Sequence, residues 1–416
     1  MYNTLKNKGV AFLRWSEHYT KTDMLYLTEG GFWLTLSQVI GILTSLATSV
    51  AFANWLPEQT YGVYRYVLSV MPILIIPTLT GIDTALTRAV AQGKESTAYA
   101  ALSLKMRWGM WGLVGSLVLA AYYYVQGDVR LMFLFLIAAA FVPLMEPFNL
   151  FVAFLAGRKD FPRRTLYGAF TRVVPTIVLV AIVFYTSNIF ILVAGYFISY
   201  ALTRFVALRM VLREVPREGA VDHAALGFGK HLSLMGIVST IATSLDSILI
   251  FHYGGAAILA GYYLATIPYS QALNAFSNLT TLALPKFSLQ SAENMRQSLP
   301  TKMARMYYVI LPSVLLYLIA APLLFSILYP KYVSYVFISD LFMVQLLLLP
   351  TGLFSTALTA LGEKKKLYII SVTYAITRIL LLLILTPLYG LMGTVAAIVI
   401  SGIMIGFLKT YLFYRL

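Results

Sequence analysis

The sequence predicts an all-α polytopic membrane protein, with twelve transmembrane helices in two six-helix lobes. Composition is the first observation that predicts this class. Of the 416 residues, 60% are hydrophobic and 11% are charged, against roughly 45–50% and about 25% in soluble domains. A soluble surface cannot be covered with so few charges, whereas a membrane protein needs charge only at the ends of its spans.

Recurring apolar stretches are the second observation. A spanning helix needs about 20 mostly apolar residues. Twelve stretches meet this requirement, at residues 31–56, 66–87, 108–126, 131–156, 165–187, 189–208, 231–252, 257–284, 306–329, 335–361, 367–388 and 390–408. Residues 1–28 lack the apolar centre of a cleaved signal peptide, so we expect a cytoplasmic or interfacial lead-in.

The distribution of basic residues predicts the orientation. Most of the 31 lysines and arginines fall on the side of the N-terminus, and the opposite side holds only Arg65, Arg130 and Lys331. Because basic residues near span ends are retained in the cytoplasm, both termini are predicted to be cytoplasmic. Topology and attraction to anionic membrane lipids account for the net charge of +15, so no nucleic-acid partner is needed.

An internal repeat predicts the division into lobes. The segment FANWLPEQTYGVYRY, which starts at Phe52, aligns without gaps on FHYGGAAILAGYYLA, which starts at Phe251. Repeated halves are common in transporters. We expect an N-lobe over 29–212, a cytoplasmic linker over 213–230 and a C-lobe over 231–416.

Several kinds of chemistry have no support in the sequence. Cysteine is absent, and the four histidines have no convincing metal-ligand spacing on one helix. The predicted outward loops are short, which leaves no room for an external catalytic domain. We therefore expect no enzyme activity, no cofactor and no metal.

Six charged residues lie inside or close to predicted spans, where a charge costs about 2.5–3.5 kcal/mol and needs a partner, water or a function. They are Asp83, Glu146, Arg172, Asp246, Asp340 and Arg378. Glu146 and Arg172 lie at similar depths on adjacent spans, so they form either a buried ion pair or part of a substrate site. Asp246 or Asp340 is the candidate partner of Arg378, and Asp83 is expected to have a local role at the interface.

The eighth span also carries a polar stripe. Gln271, Asn274, Asn278 and Thr281 follow one another at spacings that place them on one helix face. Hydrogen bonds between packed helices explain such a stripe. Amide side chains of this width favour a hydrated cavity instead.

Four segments resemble a known family. LPEQTYGVYRYVLSV (56–70), LDSILIFHYGGAAILAGYYLA (245–265), LTALGEKKK (358–366) and TPLYGLMGTVAAIVISG (386–402) are similar to oligosaccharide flippases of the polysaccharide transport family. The members move O-antigen or capsule repeat units and belong to the multidrug/oligosaccharidyl-lipid/polysaccharide exporter superfamily.

The resemblance implies two lobes in a V and alternating access, which carries an undecaprenyl-diphosphate-linked oligosaccharide from the inner to the outer leaflet for cell-surface polysaccharide biosynthesis. It makes Arg378 and Arg172 candidates for binding the diphosphate, with Gln271, Asn274 and Asn278 on the same cavity. Asp246, Glu146 and Asp340 are then coupling or ion-pair residues, although Asp246 is equally compatible with a structural role. The implied location is the inner membrane, with polysaccharide polymerase and glycosyltransferases as candidate partners.

Two other functions stay open. A cation-coupled multidrug exporter of the same superfamily would depend most on Glu146 and Asp246. A scaffold for glycan assembly, without transport, is disfavoured by the polar stripe of the eighth span.

Overall fold

The computed structural model describes residues 24–281 and 292–415 and leaves aside the side chains of 24–29, 277–281 and 292. Within these residues the chain forms helices and no strands. In chain order they are α1 (Met24–Trp55), α2 (Glu58–Leu74), α3 (Gly81–Ala91), α4 (Thr97–Val125), α5 (Val129–Met145), α6 (Leu150–Gly157), α7 (Phe161–Tyr185), α8 (Ile189–Leu212), α9 (His223–Gly254), α10 (Ala256–Thr281), α11 (Ala292–Leu328), α12 (Val336–Val344), α13 (Gly352–Ala360) and α14 (Lys364–Tyr414).

The predicted fold class is confirmed: the protein is an all-α polytopic membrane protein. In the described part of the chain, nine helices are long and apolar enough to cross a membrane. A tenth is added if α2 and α3, which are bent by 41°, form one broken span. The number twelve and the cytoplasmic position of both termini stay predictions, and residues 1–23 of the expected lead-in lie outside the described residues.

Helix α14 contains the predicted spans 367–388 and 390–408 in one helical segment of 51 residues. The segment breaks at Gly390, whose φ of 57° and ψ of −134° are not helical. The hydroxyls of Thr386 and Thr394 lie 2.9 Å apart across the break, whereas eight residues of straight helix would separate them by about 12 Å. The chain therefore folds back on itself at Gly390.

Two further breaks interrupt the N-terminal half. The turn between α2 and α3 is a 3₁₀ segment, Ile76–Thr78, with proline near its start, and Leu79 follows it at a φ of 59°. A second 3₁₀ segment, Pro147–Asn149, separates α5 from α6. Proline cannot donate the backbone hydrogen bond that a continuous helix needs, which explains both positions.

The two halves of the chain contact each other near both ends of α9, with α2 at one end and α3 at the other. At one end, a Cβ added to Gly62 would lie 1.7 Å from the carbonyl oxygen of Ala256, so only glycine allows this backbone approach. Tyr66 stacks on Phe251 there, with ring centroids 3.8 Å apart. At the other end, the Gly81 N–H donates to Ser233 Oγ at 2.9 Å. The largest core cluster of the described residues accordingly contains side chains from both halves.

The predicted linker is partly helical. Helix α9 begins at His223, so the turn between α8 and α9 covers 213–222. Asp222 caps α9 by accepting from the Ala225 N–H, and its other oxygen lies 2.8 Å from Lys94 Nζ. The hydrogen bond from Lys94 lowers the pKa of Asp222. The lobe boundaries themselves stay predictions.

Candidate functional site

One cavity among the described residues is polar and has a volume of about 600 Å³. It lies among α1, α2, α7, α8 and α10, with Asn149 from the break before α6 and Val152 from α6 itself. Its polar walls are formed by hydroxyl, amide and guanidinium side chains, namely Gln38, Thr44, Ser45, Thr48, Ser49, Tyr61, Tyr64, Arg65, Asn149, Thr171, Arg172, Thr176, Tyr196, Tyr200, Arg204, Tyr263, Gln271 and Asn274.

The cavity has a closed end and an open end among the described residues. At the closed end, Phe52 and Tyr61 are 0% and 1% exposed, and the contact of Gly62 with Ala256 lies next to them. At the other end, Arg172 and Asn274 are exposed. The open end is the one that the charge asymmetry predicts to be cytoplasmic.

The charge of the cavity is positive. Three of its lining residues are Arg65, Arg172 and Arg204, and none of the described lining residues is an aspartate or glutamate. Of the three, only Arg204 has a carboxylate within ion-pair distance in the described part of the chain, since its Nη1 lies 3.9 Å from Glu146 Oε1. Arg65 and Arg172 are therefore the cations that described carboxylates leave unneutralised.

Arg172 is held by backbone from α1. Its Nη1 donates to the Ser37 carbonyl oxygen at 3.2 Å. A Cβ added to Gly41 would lie 2.9 Å from the same nitrogen, so the missing side chain at this position makes room for the guanidinium. A guanidinium bonded to one carbonyl keeps most of its donors free for a ligand.

Arg65 joins the two halves across the cavity. Its guanidinium carbon lies 3.2 Å from the ring centroid of Tyr263 on α10, which is a cation–π contact. The Tyr61 ring stands edge-on to the same tyrosine at 6.3 Å. Arg65 Nε is buried without a hydrogen-bond partner among the described residues. The closed end therefore brings a cation and aromatic rings from both halves together.

Of the two alternatives for Glu146 and Arg172, the buried ion pair is not formed. Glu146 instead belongs to a chain of charges, in which Lys105 Nζ lies 2.7 Å from Asp83 Oδ1 and 4.0 Å from Glu146 Oε2. The reason is the break after α5, which directs Glu146 toward α4 and α8. Asp83, for which a local interfacial role was expected, is the partner of a lysine that is 0% exposed.

Arg378 lies away from this cavity. Its Nη2 is 3.1 Å from Asp246 Oδ2, and both side chains are about nine-tenths buried. Asp246 also accepts from the Tyr262 hydroxyl at 2.8 Å and the Ser247 N–H at 2.6 Å. Of the two carboxylates considered as partners of Arg378, Asp246 is the one within bonding distance, and its charge is satisfied inside the C-terminal half.

The remaining predicted residues have different surroundings. Gln271 and Asn274 lie on the cavity wall, and the side chain of Asn278 lies outside the described residues. Asp340 on α12 is not among the described lining residues, and its Oδ1 is buried without a hydrogen-bond partner in the part of the chain that the structure describes. Across 24–281 and 292–415, no group of three or more His, Cys, Asp or Glu is arranged to hold a metal ion.

Sequence reasoning missed Arg65, Arg204 and Lys105 as intramembrane residues. It counted all three among the charges that set the orientation, since Arg65 and Lys105 precede the predicted cores 66–87 and 108–126, and Arg204 lies near the end of 189–208. Arg65 lies inside α2 and Lys105 inside α4. An acidic residue in the first turn, Glu58, marks the true start of α2, and α4 begins at Thr97, before the predicted core at 108.

Comparison with known proteins gives one family. The family model described as "Polysaccharide biosynthesis protein" matches residues 27–290. No curated protein sequence matches significantly.

Several solved structures share the fold. The lipid II flippase MurJ in an inward closed conformation gives a TM-score of 0.69 at 14% identity, over 92% of this chain and 87% of that one. A MATE multidrug resistance transporter of the MOP superfamily, facing inward, gives 0.65 at 15% identity, over 93% and 97%. A MOP superfamily transporter from Pyrococcus furiosus, described as having a binding pocket of reverse polarity, gives 0.64 at 17% identity, over 94% and 95%.

Proposed function

Since this chain belongs to the polysaccharide biosynthesis protein family, as the match over 27–290 shows, we propose that it is a flippase for lipid-linked oligosaccharides. The family match confirms the resemblance found in the sequence, and the fold shared with MATE and MurJ proteins is one built for transport. In the proposed reaction, an undecaprenyl-diphosphate-linked oligosaccharide crosses from the inner to the outer leaflet of the cytoplasmic membrane. No bond is made or broken in this step.

The observation that carries the proposal is the charge of the cavity. Arg65 and Arg172 face it without a described carboxylate partner, and Arg204 has one only at 3.9 Å. Guanidinium groups stay charged at all relevant pH values and bind phosphate oxygens through paired N–H donors. A diphosphate bridge carries a negative charge on each phosphate group, which suits a cavity with one unneutralised arginine at its open end, Arg172, and another at its closed end, Arg65.

The other walls suit a glycan. Gln38, Asn149, Gln271 and Asn274 supply amide donors and acceptors, and five tyrosines surround them. Tyrosine rings offer flat apolar faces with a polar edge, and sugars present both hydroxyls and apolar C–H faces. The polyprenyl tail has no polar group and would stay in the bilayer while the headgroup occupies the cavity.

A cation-coupled drug exporter is the alternative, and the same cavity argues against it. A cationic drug needs a carboxylate to replace its hydration, and none of the described lining residues supplies one. Glu146 lies behind Arg204, and Asp246 is paired with Arg378. We therefore propose these two carboxylates as ion-pair residues, with any polymerase or glycosyltransferase as a partner outside the cavity.

The test is leaflet translocation in proteoliposomes. A fluorescent undecaprenyl-diphosphate oligosaccharide is incorporated, and its arrival in the opposite leaflet is followed by quenching. We expect protein-dependent movement that falls about tenfold or more in Arg172→Gln and in Arg65→Gln, since each loses a charged hydrogen bond of about 1.5–3 kcal/mol.

The matched control is Arg130→Gln, which removes one exposed arginine at the start of α5, outside the cavity lining. It should translocate at the wild-type rate. Equal rates for all variants, with each protein folded, would refute the cationic site. Movement of a fluorescent cationic drug, and none of the glycolipid, would favour the exporter.

A further inference from the structure

A second cavity lies on the outer surface of the bundle and shares no lining residue with the first. Its volume is about 670 Å³, and it lies among the first turns of α4, the break before α6, the last turns of α8 and the turn that follows α8. Its apolar floor includes Leu102, Met106, Phe148, Phe205 and Leu208. Phe205 and Met106 are 42% and 37% exposed, so the cavity opens at the surface that faces lipid.

Three arginines surround the mouth of this cavity, namely Arg209, Arg213 and Arg217. All three are exposed. With the residues that the structure describes, none of their guanidinium groups forms an ion pair, and no carboxylate is among the described lining residues.

Two other arginines at this end of the bundle are neutralised by glutamates. Arg158 forms a two-pronged contact with Glu95 and also bonds Glu214, while Arg163 bonds Glu214. Glu214 follows Arg213 directly in the chain, yet its carboxylate is directed at Arg158 and Arg163. Glu95 and Glu214 therefore neutralise Arg158 and Arg163, and the mouth of the cavity stays positive.

The depth of the cavity fits a lipid. From Arg209 at the mouth, Phe205 lies one helical turn deeper, and Met106 lies about 10 Å along α4 from Tyr99, at about 1.5 Å per residue. The rim is also fixed, because the Tyr99 hydroxyl donates to the Leu212 carbonyl at 3.0 Å. An anionic headgroup at the arginines would place its first acyl carbons against Phe205 and Met106.

We propose that this cavity is a binding site for an anionic membrane phospholipid. Basic pockets between transmembrane helices bind anionic headgroups, because each nearby arginine adds attraction that a zwitterionic lipid does not gain. The apolar floor distinguishes the site from a surface that is only charged. The first acyl-chain carbons of a bound lipid pack against this floor, which gives the lipid a fixed position. The site lies beside the turn that joins the two halves of the chain.

The experiment uses the full-length protein reconstituted in bilayers of phosphatidylcholine and phosphatidylglycerol, followed by gentle extraction and native mass spectrometry of the retained lipid. We expect the wild type to retain phosphatidylglycerol in preference to phosphatidylcholine. In the triple variant Arg209→Gln, Arg213→Gln, Arg217→Gln, the ratio of retained phosphatidylglycerol to phosphatidylcholine should fall by at least about tenfold. Met106→Trp, which fills the apolar floor without changing charge, should also reduce it.

The matched control is Lys364→Gln, Lys365→Gln, Lys366→Gln. It removes the same charge at the start of α14, and none of these three lysines lines a described cavity, so it should retain the lipid as the wild type does. The proposal is overturned if the wild type shows no preference, if both triple variants lose it equally, or if Met106→Trp retains it in full. The last result would indicate a charged surface without a lipid pocket.

Discussion

In the C-terminal half, Arg378 donates to Asp246 at 3.1 Å in a site that is nearly closed to solvent, whereas in the N-terminal half Arg172 reaches only a carbonyl oxygen and stays exposed in the cavity. Both residues lie within predicted spans, and the sequence offers no difference between them. The difference is whether a carboxylate lies beside the arginine. The paired Arg378 stabilises helix packing, and the unpaired Arg172 is available to an anion.

The largest expected effect separates these two roles. Arg378→Met should lower the free energy of unfolding by about 3–5 kcal/mol, because it leaves Asp246 buried without its cation. Arg172→Met should change it by less than about 1 kcal/mol, since no described carboxylate loses a partner. Thermal unfolding of the purified protein in detergent measures both, and equal losses would remove the distinction between the two arginines.

The double variant Asp246→Asn, Arg378→Met sharpens the same prediction. Removing both charges together should recover most of the stability that Arg378→Met loses, because a buried ion pair contributes little net free energy compared with apolar replacements. A double variant as unstable as Arg378→Met would instead indicate that the volume of the arginine, and not its charge, supports the helices.

A smaller effect is expected from the third group at Asp246. Tyr262→Phe removes a hydroxyl that donates to Oδ2 at 2.8 Å, and a hydrogen bond to a charged group contributes about 1.5–3 kcal/mol. The control is Tyr269→Phe on the same helix, whose hydroxyl has no hydrogen bond to the described residues. The melting temperature should fall for Tyr262→Phe only, and an equal fall in both would contradict the assignment.

The closed end of the cavity should respond more weakly. Tyr263→Leu removes the ring that lies 3.2 Å from the Arg65 guanidinium, for a loss of about 0.5–2 kcal/mol. Tyr263→Phe keeps the ring and should unfold close to the wild type. If Tyr263→Phe loses as much stability as Tyr263→Leu, the hydroxyl and not the ring face holds the two halves together at this point.

The smallest effect concerns a surface pair outside the spans. Hydrogen bonds from Arg158 lower the pKa of Glu95, so the folded protein gains stability from this carboxylate above the ordinary glutamate pKa of about 4.3 and loses it as the pH falls further. Glu95→Gln should be less stable than the wild type by under about 1 kcal/mol at pH 7. The difference should vanish in acid, and a difference that grows in acid would contradict this sign.

Sequence reasoning reached the fold more completely than the site. Apolar stretches predict helices because lipid leaves the backbone no other hydrogen-bond partners, and the described parts of these stretches are helical, with breaks inside 66–87, 131–156 and 335–361. Arg172, Gln271 and Asn274 were singled out, and they lie on the cavity wall. The ion pair of Glu146 with Arg172, one of the two alternatives left open, does not form because the 3₁₀ segment Pro147–Asn149 turns the helix, and a depth estimate along straight helices cannot include such a turn.

The missed residues have a common physical reason. Arg65 and Arg204 lie near the ends of apolar runs, where a basic residue is ordinarily a marker of orientation. Only the packing of α2 and α8 around the cavity distinguishes them from the others at the same depth. The pairing of Lys105 with Asp83 depends in the same way on contacts between α3 and α4, which are tertiary and leave no periodic pattern.

Gly390 connects two long helical arms without any loop. A single residue at a φ of 57° means that the relative motion of the two arms passes through the torsion angles of that residue and its immediate neighbours. Because no flexible loop separates the two arms, a rotation of one arm is passed to the other. Any rearrangement of residues 364–389 is thus mechanically coupled to residues 391–414, and a reporter inserted at this corner would uncouple them.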